Sequence, residues 1–471
     1  MKRANTEKSS CADAGNGRGA LKNNRLYHTA VIGGGAAGLF FAAKYGDEQT
    51  IIIEKGDRAG RKLSATGGGW GNVTNLRAGA FSSAKNGLKQ GETARKNGDG
   101  GYFTFENSER GKIERALETY SPDSLRAFLL SIGCVTFADE RGRVYPVSRQ
   151  ASSVTDCLRA EAKRRGVKLI TGAEVLDILP FNETGETFFK AVTANGVFAA
   201  ENVLLCTGGR AAKHFGSDGG GYKLAQALGH TVTNTFPALA QIKCAEKDAR
   251  ALKGIRVFDG EITLFAVGKE FKGGKEFKGD ESGKEVARER GDILFTDYGV
   301  SGDCAFKISS FLPYDETGRV NARLSVDFLP DLPLERLKKV LYEKKNRYKN
   351  AESGALFTGI VNNRIGETLA RRVKEMQKEK LSERDEISLL AETAKAFTLT
   401  VTGTTGFDNA QVTKGGIPLS ETDETFESLF TKNVYFAGEI LDVDGACGGY
   451  NLQWAYSSAC AAAEGIFKSR L

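Results

Sequence analysis

The sequence predicts an α/β protein: a parallel-sheet domain opening on a nucleotide-binding turn, interrupted by an insert of antiparallel sheet and helices. Three observations carry this. Thr29 to Lys55 read as strand, tight turn, helix and strand. Short alternating apolar stretches fill Ile242 to Phe328, followed by a charged helical pattern from Leu334 to Phe397. Near the far end, Asn433 to Ala437 is again a short buried strand, and Asn451 to Phe467 an apolar, small-residue helix of the kind that packs on a sheet. The expected organisation is a disordered basic lead-in over 1–24, a discontinuous nucleotide-binding domain over 25–235 and 398–471, a β-barrel-like insert over 236–332 and a helical insert over 333–397.

The first turn is V-I-G-G-G-A-A-G, with Gly33, Gly35 and Gly38 spaced as G-x-G-x-x-G. Gly33 permits the sharp turn, Gly35 lets the backbone approach a pyrophosphate, and Gly38 lets the helix pack close to the sheet. Ala36 and Ala37 begin that helix, whose positive dipole end favours phosphate. Glu54 ends the second strand 21 residues after Gly33, with Lys55 beside it. A carboxylate there accepts hydrogen bonds from ribose hydroxyls, favours FAD or NAD, and repels the 2′-phosphate of NADP. A glycine turn without ligand is the bland alternative, and the strand–helix–strand context argues against it.

At 471 residues, two or three domains are expected, and 40% hydrophobic composition is enough for real cores. No apolar run reaches about 18 residues, so no membrane span is expected, and the polar first 24 residues lack the apolar stretch of a secretory signal. Eight cysteines without a C-x-x-C, and three histidines, suggest neither a metal site nor a disulfide framework; a cytoplasmic location is expected. The net charge of +7 is compatible with RNA as partner and equally with ordinary solubility.

Residues 57–75 form a Gly-rich loop, too rich for a helix or strand, that can press its backbone on a flat ligand. Arg61 and Lys62 are available to phosphate, and Thr66, Gly67, Gly68 and Asn72 to the ligand face. An exposed, basic insertion is read at 82–101 (Lys85, Lys89, Arg95, Lys96). Leu117 to Ile132 read as helical, with Ser121-Pro122-Asp123 as a start signal. A helix over Ser152 to Arg165 precedes strands at Val167 to Ile170 and around Val175. Asn202 to Cys206 is a buried strand ending in Thr207-Gly208-Gly209, which returns the chain to the ligand side, and Gly219 to Leu228 starts a helix. The tandem G-K-E-F-K-G repeat over 268–279 reads as a solvated hairpin, with a nucleic-acid-contacting arm as the alternative. Thr400 to Gln411 reads as a strand of the returning domain.

A second ligand-facing element lies at the far end: Gly438-Glu439 after the strand Val434 to Ala437, then Gly449, Tyr450, Asn451 and Leu452 opening the last helix. An acid after that strand can take ribityl hydroxyls, and the helix start can stabilise negative charge on a reduced flavin. The stretches V-I-G-G-G-A-A-G, G-R-K-L-S-A-T-G-G-G, G-R-V-Y-P-V-S, L-F-T-D-Y-G-V-S-G, A-Q-V-T-K-G-G and F-A-G-E-I-L-D-V-D-G-A-C-G-G-Y-N-L-Q-W-A resemble the bacterial FAD-dependent flavoproteins of the aminoacetone-oxidase-like or bile-acid-reductase-like group, which includes ribosomal RNA dihydrouridine synthases. The resemblance covers about 28–468 and implies a glutathione-reductase-like FAD domain with an inserted small β-barrel and helical part. Two departures stand out. The family loop G-G-G-R-C-N is here Gly67-Gly68-Gly69-Trp70-Gly71-Asn72, and Asp297 and Asp303 stand where the family tends to have His and Pro.

The favoured chemistry is hydride transfer at flavin N5 to an activated C=C, such as uracil C5=C6 in ribosomal RNA, with Cys447 and Tyr450 as candidate acids. Against these roles, Cys447 is read as a small apolar filler and Tyr450 as a packing aromatic. The alternatives are oxidation of an aminoketone or other amine, reduction of a steroid-type enone, and a flavin-binding protein without turnover. NAD(P)H is considered as a transient electron donor, since no second G-x-G-x-x-G is present; the oligomeric state is left open.

Overall fold

The computed structural model describes residues 25–79, 102–103, 109–183, 186–267, 270–272, 275–277, 283–376 and 382–468. The basic lead-in and the 82–101 insertion lie outside the described residues. Of the tandem repeat, the backbones of 270–272 and 275–277 pair antiparallel.

A seven-stranded sheet organises the first lobe. Its parallel strands run in the order Lys168–Ile170, Thr50–Ile53, Leu26–Ile32, Gly196–Leu205. Gly196–Leu205 is long enough for two neighbours on its far side: its first half pairs antiparallel with Glu186–Thr193, and its second half parallel with Val434–Phe436. Both faces of the parallel strands are covered, which is why they read as unbroken apolar runs. Val31, Ile52, Leu204 and Tyr435 pack on one face with Phe40 and Phe41 of helix Ala36–Lys44 and with helix Tyr450–Ile466. Ile32, Ile51, Val203 and Phe436 pack on the other with Phe189, Tyr222 and Trp454.

The predicted helix over Leu117 to Ile132 is two helices, Arg110–Thr119 and Pro122–Ser131. The break follows from local chemistry. Ser121 caps the second helix, its hydroxyl accepting from Ser124 N at 3.3 Å, and Pro122 takes the first helical position, where a missing N–H is harmless. The 57–75 stretch holds more structure than expected: helical turns within Leu63–Gly69, broken where Thr66 is extended and Gly67 and Gly68 are left-handed, and Thr74–Asn75, which pairs with Arg143–Pro146 in a small sheet whose third strand is Thr136–Ala138.

The second lobe is a closed six-stranded barrel of Ile242–Cys244, Gly299–Ser301, Lys284–Phe295, Arg256–Ala266, Ala322–Asp327 and Phe397–Thr404. Its strands alternate, as in Ala322–Asp327, whose inward Ala322, Leu324 and Val326 are buried. Helices Leu334–Arg347, Asn363–Met376 and Glu383–Lys395 pack on it. Phe397–Thr404 corrects the sequence reading: the strand expected to begin the returning nucleotide domain at 398 closes the barrel instead, pairing with Ala322–Asp327 and Ile242–Cys244. Its alternating pattern suits either lobe, and only the pairing decides. Beyond it, Val412–Lys414 pairs with Phe236–Ala238, so the two chain crossings between the lobes run side by side. Among the described residues no helix is long and apolar enough to cross a membrane.

Candidate functional site

A cleft of about 1440 Å³ runs from the first turn along the ends of the parallel strands to the barrel lobe. The glycines of the turn do three different jobs. Gly33 has φ +102°, and a Cβ there would stand 2.7 Å from Cys206 O. A Cβ on Gly38 would stand 2.2 Å from Gly33 O and 3.1 Å from Val31 Cγ1, so this glycine serves helix-to-sheet packing and lies beneath the cleft lining. Gly35 is different: its Cβ would meet only Cys206 O, at 3.8 Å. Packing does not demand glycine there, and the vacant space belongs to the cleft. Ala36 and Ala37 follow, and no side chain caps the helix start, so its backbone N–H groups face the cleft with the dipole's positive end.

Glu54 lines the same wall, its Oε2 accepting from Gly34 N at 2.7 Å and its Oε1 from Gly56 N at 2.6 Å. A carboxylate has about four lone-pair sites, so capacity remains. Lys55 Nζ lies 2.6 Å from Asp218, and Arg61 donates to His214 O at 3.0 Å. Lys62 Nζ lies 2.8 Å from Glu439 Oε2, while Glu439 Oε1 accepts from Thr413 N at 2.9 Å. The two acids predicted from opposite ends of the chain therefore share one cleft, and Lys62 clasps the second.

Thr66, Gly67, Gly68, Asn72, Val175, Thr207, Gly208, Gly438, Gly449, Asn451 and Leu452 also line it. Asn451 is fixed by a two-way clasp, accepting from Gly445 N at 2.8 Å and donating to Gly445 O at 2.9 Å. Gly449, at φ +104°, passes so close to Thr74 O that a Cβ would stand 2.3 Å away. Two of the expected residues sit elsewhere. Gly209 is buried beneath the wall, its absent Cβ 2.4 Å from Thr413 Oγ1. Tyr450 is a correction: as the first residue of the last helix it turns onto the apolar core below the sheet and does not line the cleft.

Cys447 does line it, half-buried against Ala238, Leu239 and Val412. Burial, and then the carboxylate of Asp303, push its thiol up to about 11, so it is protonated at neutral pH. Asp303 lies 2.7 Å from Lys307 Nζ. Burial works against the Lys307 charge, but Asp303 holds its pKa above the ordinary lysine value. Arg143 lines the cleft nearby, 2.7 Å from Asp139.

The sequence reading assigned no role to Arg143, Tyr145, Asp303 or Phe306, all of which line the cleft. They fall in the stretches G-R-V-Y-P-V-S and Y-G-V-S-G-D-C-A-F, one on the small sheet and one on the barrel lobe; a signal was present, but nothing local placed it beside the first turn. Asp297, by contrast, pairs with Lys253 on the surface.

Residues 27–465 match the HI0933-like protein Rossmann domain. The chain belongs to this family. It is an FAD-dependent oxidoreductase. The flavoprotein is 32% identical to the 3-dehydro-bile acid delta(4,6)-reductase of Clostridium scindens, over 91% of this chain and 96% of that protein. It is 27% identical to the ribosomal RNA dihydrouridine synthase of Escherichia coli, over 94% and 99%, and 26% identical to that of Haemophilus influenzae, over 93% and 97%.

The cleft fits FAD on its own terms. Asn72 Oδ1 and Thr207 Oγ1 are buried in its wall without a hydrogen-bond partner among the described residues, which is costly unless a ligand supplies one. With the vacancy at Gly35, they mark a wall shaped for an elongated polar ligand.

Proposed function

We propose that this flavoprotein reduces the C5=C6 bond of uridine in ribosomal RNA, with Cys447 as proton donor. The observation that carries the proposal is the Cys447 thiol: protonated, half-buried and on the cleft wall immediately before the Gly448-Gly449 turn that opens the last helix. In this reading Gly35, Ala36 and Ala37 hold the pyrophosphate of FAD, Glu54 the ribose, Glu439 the ribityl chain, and Gly449, Asn451 and Leu452 the ring system. Reduced FAD, when held there, would supply a hydride to the carbon β to the uracil carbonyl. The neighbouring carbon then needs a proton. Cys447 donates its S–H proton there, and the resulting thiolate is reprotonated from solvent. Lys307 stabilises the thiolate while it exists, and Asp303 keeps Lys307 charged and in place.

Relatives named a 3-dehydro-bile acid delta(4,6)-reductase and a ribosomal RNA dihydrouridine synthase support this reaction class, since both names describe reduction of a ring C=C. NAD(P)H is proposed as the visiting electron donor, and the cytoplasm as the site of action. A second reading, reduction of a small-molecule enone, is favoured by the greater identity to the bile-acid reductase. Mass spectrometry of ribosomal RNA from cells lacking this protein separates them. Loss of a dihydrouridine supports the first reading; an unchanged nucleoside profile rejects it in favour of the second.

A further inference from the structure

We infer that Trp70, Arg149 and Phe137 form a docking platform outside the cleft for a nucleotide flanking the target, with the base stacking on Trp70 and its phosphate on Arg149. The inference rests on the RNA reading above. Trp70 departs from the family loop, and its side chain does what a buried structural residue would not: it is 52% exposed, at the rim, with its edge against Tyr145 of the cleft wall (ring centroids 6.3 Å apart, planes at 73°). The Arg149 guanidinium lies 5.2 Å from the Trp70 ring centroid and 5.4 Å from that of Phe137. Among the described residues no carboxylate pairs with Arg149, so its planar set of five N–H donors is charged and open to an anion.

Arg149 has φ +52°, a left-handed conformation that a long side chain adopts at a cost. Its guanidinium lies within cation–π distance of both rings. Val147, 59% exposed, continues the apolar surface beside it, with its N–H on Val135 O at 3.0 Å. An aromatic face backed by an arginine that has no carboxylate partner among the described residues, next to a site for one flat ring, is the combination that grips single-stranded RNA: bases stack without sequence preference while the cation meets the backbone. Its position also fits an extruded target, since the base entering the cleft leaves its neighbour at the rim.

The test uses the FAD-loaded full chain and single-stranded oligouridylate. The protein has two tryptophans, and Trp454 is 1% exposed, so the emission difference between wild type and W70F reports Trp70. Oligouridylate should quench that difference signal. W70A should weaken oligouridylate binding by about tenfold, and R149A should reduce the slope of log affinity against log salt by about 0.7, the loss of one phosphate contact on a single strand. A purely structural role for Arg149 would not move that slope. If wild type binds oligouridylate and reduces ribosomal RNA while W70A and R149A match it in affinity and slope, the platform is rejected and the function stands. If wild type neither binds oligouridylate nor reduces ribosomal RNA, both fall together.

Discussion

Alanine substitutions at Gly35 and Gly38 should separate cofactor binding from packing. The Gly35 backbone, at φ −75° and ψ −160°, is open to alanine. Alanine is a poorer helix N-cap than glycine by roughly 0.5–1 kcal/mol, and the stiffer unfolded chain offsets this by about 0.4–1 kcal/mol. With the nearest atom to the new Cβ at 3.8 Å, the flavin-free protein should therefore keep its stability within about 0.5 kcal/mol. If Gly35 holds the pyrophosphate as proposed, the methyl group enters that space, and crowding of that kind costs about 1–3 kcal/mol, or roughly 5- to 150-fold in Kd for FAD. G38A is the opposite case. Its Cβ at 2.2 Å from Gly33 O forces the helix off the sheet, so the flavin-free protein itself should lose stability by roughly 1–3 kcal/mol. Thermal unfolding of the flavin-free proteins and fluorescence titration with FAD measure both. Wild-type FAD affinity in G35A, or a loss of stability in G35A equal to that in G38A, would refute the assignment of Gly35 to the phosphates.

C447A should retain its flavin yet slow reoxidation of the reduced enzyme by substrate by about 10²–10⁴-fold; an unchanged rate would place the proton donor elsewhere. Because the Cys447 acid is pushed up to about 11, the wild-type rate should hold through neutral pH and fall only as pH rises through that region, when the thiol ionises. D303N removes the charge that helps raise this thiol, so its alkaline limb should move to lower pH; an immobile limb would exclude Asp303 from the Cys447 environment. His230 donates or accepts at both ring nitrogens, 2.9 Å from Glu421 and 2.7 Å from Ser428 Oγ, and burial holds its pKa below the ordinary 6.5 despite Glu421. The folded protein thus binds fewer protons than the unfolded chain there. Its contribution is complete above pH 6.5 and is lost as pH falls through the window below it. H230Q should flatten that part of a denaturation-versus-pH profile, and a slope equal to wild type would count against the assignment.

Much of the cleft wall was legible along the chain because each of its parts is local. A G-x-G-x-x-G turn between two buried strands needs only a run of about 25 residues to declare itself, and Glu54 and the Gly438-Glu439 pair each follow directly on a strand. Tyr450 shows where local reasoning stops. Its place beside Gly449 was correct, but a helix turns successive side chains by about 100°, and the direction that Tyr450 faces depends on what the helix packs against.

Residue order by itself determined the α/β class, the split of the nucleotide domain around an antiparallel insert, and the glycines of the dinucleotide turn, since periodicity and positive-φ turns are properties of neighbours in the chain. Tertiary structure alone decided that Phe397–Thr404 closes the barrel, that Lys62 meets Glu439 across 377 residues, and that Arg143, Asp303 and Cys447 converge from three separate stretches. The physical reason is that strand partnership and charge proximity depend on distance through space, which no local pattern encodes.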